Sequence, residues 1–349
     1  MIKRFTTSKL FPFAIILGMI VLLTISFVRG SVLVRKSEKE INPTKQILEA
    51  EAGKYNLKEI DTKTGELRWR LTAKEGMTED NLQAAVIKGI SAEVYKNNKV
   101  IFELNAPFAK ANSETKEIYL FGEVTTKNKE GNFLLKSNQI ALGMGTSIEA
   151  QKGFDLVLKD TGTVSGESAL INDDQTKIVV KNLKEASLKD IILSGGNVVI
   201  EKNKNGDLDR AVISNNGKII LKSQNNSSLN AENIKWEKSG EVEATKNITY
   251  SSGDKTFKAG YILLKPDKKL YAKNNVSILH GQTQCSGNNL TYENNSIVII
   301  TGSAKAIQGD KLITADKIVY NIDTEKVDAL GNVRTIVASK TKDANEKIN

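Results

Sequence analysis

Three consecutive 28-residue stretches, opening at Gly253, Gly281 and Gly309, carry one pattern of side chains. They read GDKTFKAGYILLKPDKKLYAKNNVSILH, GQTQCSGNNLTYENNSIVIITGSAKAIQ and GDKLITADKIVYNIDTEKVDALGNVRTI, with a fainter copy opening at Asn225. A fixed period of this length constrains the fold more than any other feature. One such unit cannot bury its own apolar face, so the units must stack on one another.

The columns of the repeat give the local structure. The fifth position holds Leu229, Phe257, Cys285 and Ile313, and the seventh Ala231, Ala259, Gly287 and Ala315. The tenth holds Ile234, Ile262, Leu290 and Ile318, and the twelfth Trp236, Leu264, Tyr292 and Tyr320. Steps of two are strand alternation. The single step of three requires a bulge or corner that restores the apolar face after a bend. A turn follows, then a second strand beginning Leu270 and Ala272, Val298 and Ile300, or Val327 and Ala329. A Gly or Asn turn is expected next, before Val276, Ala304 and Val333. The front half shows the same texture more loosely. Leu67, Trp69, Leu71 and Ala73 alternate on one face; Val100, Phe102, Leu104 and Ala106 step by three to Ala109; Phe133, Leu135 and Ser137 step by three to Ile140 and Leu142. The expected fold is all-β, with antiparallel hairpin-like units stacked along an axis, on the order of ten of them.

Leucine-rich repeats have a similar period, but their L-x-x-L-x-L-x-x-N core is absent. A β-helical enzyme acting on polysaccharide would need a carboxylate cluster on one face. Asp254, Asp310 and Asp316 instead read as turn chemistry. Catalytic material is sparse: the chain has one histidine and one cysteine. That excludes an internal disulfide, a Cys-based zinc cluster and the usual two-His metal sites. Cys285 reads as buried filler and His280, beside Gly281, as a solvated surface residue. No G-x-x-x-x-G-K-[ST] motif occurs. No cofactor, metal or catalytic residue is expected, and the chain reads as a non-enzyme. Net charge is +9, from 50 basic and 41 acidic residues. The basic residues are scattered rather than gathered in a stripe, which argues against nucleic acid.

Leu10–Val28 is nineteen residues without a charge, about the minimum for a membrane-spanning helix. The alternative is a cleaved signal peptide, but the run exceeds an ordinary h-region and ends without a small-x-small site. An uncleaved anchor is therefore expected, with residues 1–9 inside and the long polar body translocated. Residues 29–56 read as a linker in which Thr44 caps a short helix through Ala52.

The stretch from Gly309 resembles the repeat of the OstA/LptA-like family at Ile313, Ala315, Ile318, Tyr320, Ala329, Gly331, Asn332 and Val333. GELRWRLTAKEG, GEVTTKNKEGNFLLKSNQIAL and SGESALINDDQTKIVVKNLKEA are similar to the LptC family. The chain thus resembles a fusion of the two: residues 57–190 LptC-like, residues 191–337 OstA/LptA-like, and 338–349 a disordered tail, with Gly195 and Gly196 marking the junction. The resemblance implies one N-terminal membrane helix and a slightly twisted, V-shaped β-jellyroll with an apolar groove. It implies lipopolysaccharide transport at the inner membrane, with a periplasmic body. It also implies partners: lipopolysaccharide, the permease subunits of an inner-membrane ABC transporter, and another LptA-like or outer-membrane jellyroll joined by edge-to-edge strand pairing. Residues expected to line the groove and meet lipid A acyl chains are Trp69, Leu71, Phe102, Leu104, Phe133, Leu135, Phe257, Ile262, Leu264, Leu290, Tyr292, Ile313, Ile318, Tyr320 and Val333. A closed sandwich would show the same alternation, so an anchored structural or adhesin-like spacer remains the alternative.

Overall fold

Side chains that alternate between water and oil favour strands, and strands must find partners for their backbone amides. Here each long strand finds them in the long or interrupted strands immediately before and after it. The computed structural model describes residues 44–51, 54–78, 84–112, 118–142 and 146–337. Among them the regular elements are strands, apart from one turn of 3-10 helix at Lys222–Gln224. Lys255–Leu264 pairs antiparallel with Leu270–His280, which pairs with Thr283–Glu293, then Ile297–Gln308, then Lys311–Asn321. The front half follows the same order, from Leu67–Thr78 through Ala84–Lys96, Lys99–Asn112, Ile118–Lys127, Phe133–Leu142, Ile148–Leu158 and Gly162–Ile171 to Lys177–Leu188. One 28-residue period is two strands of this meander.

Every long strand bends at its middle, and two kinds of bend alternate. In Lys255–Leu264 the buried series steps by three, from Ala259 to Ile262. In its neighbour Leu270–His280 the series steps by four, from Ala272 to Val276, across Asn274 (φ 65°) and Asn275 (φ 54°). Between the pairs Lys258–Ser277 and Tyr261–Lys273, two residues of one strand therefore face three of the other. Unequal lengths across a ladder bend both strands. Asparagine tolerates the left-handed conformation such a corner needs. Lys246–Asn247, Gly302–Ser303 and Lys152–Gly153 make the same corner in Val242–Ser252, Ile297–Gln308 and Ile148–Leu158. The Gly or Asn turns expected before Val276 and Ala304 are thus corners inside continuous strands. The ladder supplies the hydrogen bonds that a free turn would have had to replace.

In four places the corner interrupts the strand. Gly195 and Gly196 separate Ile191–Ser194 from Asn197–Lys202, and both have positive φ. Asn215 and Asn216 separate Leu208–Ser214 from Gly217–Leu221. Ser227–Ala231 and Asn233–Glu237 are a third such pair, and Lys326–Leu330 and Arg334–Val337 a fourth. Each half keeps its place in the ladder. Lys177–Leu188 pairs with both Ile191–Ser194 and Asn197–Lys202, so the hydrogen bonding runs on past residue 190.

The corners fold the ladder lengthwise into two faces. Sheet I holds Phe257, Ile278 and Cys285; sheet II holds Ile262, Leu290 and Ile318. Their inner sides meet: the ring of Phe257 lies 5.4 Å from that of Tyr292, across the fold. The apolar interior is one cluster from Trp69 to Ile322. This is the expected all-β stack of antiparallel units, consistent with a jellyroll.

One expected element is different. Thr44–Glu51 is a strand paired with Lys54–Asp61, not a capped helix. An isolated helix of this length is marginal in water, whereas the neighbouring strand offers a ready ladder. The apolar run Leu10–Val28 lies outside the described residues, as does the tail 338–349. Among the described residues no helix is long and apolar enough to cross a membrane.

Candidate functional site: a closed apolar interior and its polar seam

The interior is the largest chemically uniform feature of the chain. Leu71, Phe102, Leu104, Leu135, Phe257, Ile262, Ile318 and Tyr320 are 0% exposed. Trp69, Phe133, Leu264, Leu290 and Tyr292 are also buried, and Ile313 packs against them partly buried. All of these expected lining residues therefore face one continuous space between the sheets. Val333 does not: it is 49% exposed. It follows the break after Lys326–Leu330 at the far end of the stack, where among the described residues no further strand covers it. Its counterparts Val276 and Ala304 have neighbours on both sides and are buried.

A V-shaped groove open along one edge is not what the described residues form. The two rims meet, because apposed apolar faces lose free energy when they leave water. Where they meet, polar side chains join one row of turns to the other. Lys96 Nζ lies 2.9 Å from Asp173 Oδ2. Asn128 Nδ2 donates to Gln175 Oε1 at 3.2 Å, and Thr161 Oγ1 to the Gly206 carbonyl at 3.2 Å. Towards the carboxyl end, His280 Nδ1 and the Tyr320 hydroxyl are 2.7 Å apart, and Gln308 Nε2 donates to the Glu325 carbonyl at 2.9 Å. These contacts form a seam along the molecule.

His280 is thus not a solvated surface residue. It is 9% exposed, and its Nε2 lies 3.0 Å from Asp254 Oδ2. The signal was its parity: Val276, Ile278 and His280 share the inward face. Asn128 was missed for the same reason, since it continues Val124 and Thr126 to the rim. Its Oδ1 also accepts from the amides of Asn132 (3.1 Å) and Phe133 (3.2 Å), which shapes the turn. Asn128→Ala is expected to cost about 1–2 kcal/mol in urea denaturation, by leaving the buried Phe133 amide and the turn amide of Asn132 short of an acceptor. Asp316 does not occupy a hairpin turn. It sits at the corner of Lys311–Asn321, where Asn332 Nδ2 donates to its Oδ2 at 2.9 Å.

The interior is chemically that of an apolar solvent. Cys285 is buried as expected, and burial pushes its thiol up to about 12. Burial likewise pushes the Tyr292 hydroxyl up to about 12, and that hydroxyl donates to the Asn295 carbonyl at 2.6 Å. Among the described residues no group of three or more His, Cys, Asp or Glu side chains is placed to hold a metal ion.

Comparison with known families bears on the front of this stack. The model described as "Lipopolysaccharide-assembly, LptC-related" matches residues 13–147. Over those residues the chain is LptC-like. The LptC-like stretch takes in the apolar run from Phe13 to Val28 and the strands through Phe133–Leu142. Among solved structures, a similar chain is LptH from Pseudomonas aeruginosa, the LptA-homologous periplasmic component of a lipopolysaccharide transport device. Identity is 15%, the match covers 32% of this chain and 95% of that one, and the TM-score is 0.31. No curated protein matches.

Proposed function

We propose that this chain is a component of lipopolysaccharide transport, anchored in the inner membrane by Leu10–Val28 with its body in the periplasm. In this reading the acyl chains of lipid A travel between the two sheets, from an inner-membrane ABC transporter toward the outer membrane. The match of residues 13–147 to LptC-related proteins supports the transport role. The observation that carries the mechanism is the uninterrupted apolar interior from Trp69 to Ile322 behind a polar seam.

Energetics favour such a route over water. Burying a methylene is worth about 0.8 kcal/mol, so exposing a fourteen-carbon chain costs on the order of 10 kcal/mol. Repeated units offer nearly equal sites, so a chain moves along them without meeting a deep trap. The LptC-like and OstA/LptA-like portions lie end to end in this reading, within one ladder. At the far end, Arg334–Val337 pairs with Lys311–Asn321 and presents Ile336 and Val337 to solvent. Among the described residues no strand pairs with its other edge, which suits strand addition by another jellyroll.

Photo-crosslinkers test the path. Placed at Phe257, Leu290 and Ile318, which face inward, they are expected to capture lipopolysaccharide in cells. Placed at Lys258 and Lys317, on the opposite parity, they are expected to capture none. Equal capture at both sets, or none at either, would overturn the conduit. The closed interior favours one other reading, an anchored structural spacer, and absence of lipid at all five positions would select it.

A further inference from the structure

A cleft of about 380 Å³ opens over the seam where the two rims approach near the middle of the chain. Lys159 and Thr161 line it from one rim, and Thr176, Lys202 and Lys204 from the other. The contact between Thr161 and the Gly206 carbonyl crosses its floor.

Lys202 is out of place in an apolar series. It ends the inward-facing run Val198, Ile200, Lys202 of its strand. The corresponding run Ile318, Tyr320 ends in Ile322, which is 4% exposed. A lysine at this position carries an ammonium to the lip of the oil. None of the ion pairs among the described residues includes Lys202, Lys159 or Lys204. Two of the carboxylates that line the cleft are already engaged. Asp174 accepts from the Thr176 hydroxyl at 2.6 Å and its amide at 3.1 Å. Asp207 holds Lys238 Nζ at 3.1 Å and Asn203 Nδ2 at 3.3 Å. Glu130 and Asp160 lie exposed at the outer lip. Burial lowers the pKa of Lys202, and the charge of Asp174 only partly opposes this. Its ammonium is therefore under-solvated and gains from an oxyanion brought into the cleft.

We propose that this cleft recognises a phosphate monoester on a sugar, seating the headgroup of a lipid whose acyl chains pass through the seam below. The proposal rests on the lipid-transport reading for the source of the phosphate. Lys202 Nζ donates to the phosphate oxygens from within, and Lys159 and Lys204 donate from the lip. The Thr161 hydroxyl, whose proton goes to the Gly206 carbonyl, keeps its lone pairs to accept from a sugar hydroxyl.

The test uses the full chain in mild detergent and four probes: bisphosphorylated lipid A, its 1-dephospho form, a fully dephosphorylated form, and soluble glucosamine 1-phosphate. The wild-type chain is expected to bind bisphosphorylated lipid roughly tenfold or more tighter than dephosphorylated lipid, the size of one charge-assisted hydrogen bond. Lys202→Met, which keeps the stem and removes the charge, is expected to shrink that preference to about twofold with an unchanged melting temperature. Lys202→Arg is expected to keep most of it. Full phosphate preference in Lys202→Met overturns the site, as does wild-type binding indifferent to phosphate, which leaves the transport reading standing. Binding of glucosamine 1-phosphate without any acylated lipid supports the site and overturns the transport reading. Competition between the two probes shows that free and lipid-borne sugar phosphates share it. Binding of neither probe overturns both.

Discussion

Stapling the two rims together is expected to stop lipid uptake while leaving the fold intact. The interior side chains are fully buried, so an acyl chain enters only if the rims part. The seam is suited to parting. Most of its contacts are single polar pairs at or near the surface, and exposed pairs contribute roughly 0–1 kcal/mol each, while the buried His280–Tyr320 pair adds about 1 kcal/mol. An entering chain gains about 0.8 kcal/mol per methylene, which outweighs the loss of a few such pairs. Cysteines replacing Lys96 and Asp173, whose side chains now touch, or Gln308 and Glu325, where the Gln308 side chain reaches the Glu325 backbone carbonyl, would sit on opposite rims. A short thiol-reactive cross-linker then closes the seam. Cys285 can remain, because its buried thiol, pushed up to about 12, is a poor nucleophile at neutral pH. Uptake of a fluorescent acyl lipid is expected to fall at least about tenfold on cross-linking, corresponding to a barrier raised by about 1.4 kcal/mol or more. Cutting a reducible linker is expected to restore it. Equal uptake by the stapled and released forms would mean that lipid does not pass between the sheets.

Gly196→Val is expected to be among the most damaging single changes in the chain, and Gly206→Ala among the mildest at a positive φ. Both glycines are left-handed, with φ of 64° and 86°. A side chain at either site carries the left-handed cost of roughly 1–2 kcal/mol. They differ in surroundings. A Cβ at Gly196 would lie 2.3 Å from the Ser214 carbonyl oxygen and 3.1 Å from Ile213, so the backbone of the next strand must move. A Cβ at Gly206 meets nothing within 4 Å. Overpacking adds roughly 1–3 kcal/mol more at the first site. A β-branched side chain there is expected to cost about 4 kcal/mol in total, against about 1 kcal/mol at Gly206. Urea denaturation of the two variants compares them directly. Similar losses would show that the corner at 195–196 relaxes freely and does not hold the ladder's bend.

How much of this was legible depended on parity. Phe257, Ala259, Ile262 and Leu264 declared a strand with a bend, because a step of three between steps of two fits no helix. Ala272 to Val276 was harder. A step of four across two asparagines looks like a turn, and only the partner strand reveals a corner within one strand. Closure of the interior could not be read at all. The inward face of Leu104 is the same in an open groove and in a shut one, and the difference lies in whether Asn128 reaches Gln175. That contact joins residues 47 apart, and no local pattern encodes it. Thr44–Glu51 failed for a related reason: a capping signal is local, but the pairing that overrode it belongs to the next strand.

The strictly sequential strand order also bears on how such a chain is made. Counting each interrupted pair as one bent strand, every strand's ladder partners are the ones just before and just after it, and the seam pair His280–Tyr320 spans only 40 residues. Low contact order favours rapid folding. A chain emerging amino end first into a new compartment would find, at every stage, a finished edge awaiting the next strand. Assembly could then keep pace with export, with one short unpaired segment exposed at a time. The same order lets evolution lengthen the molecule by duplicating 28 residues, since an added pair of strands needs no rearrangement of those already in place.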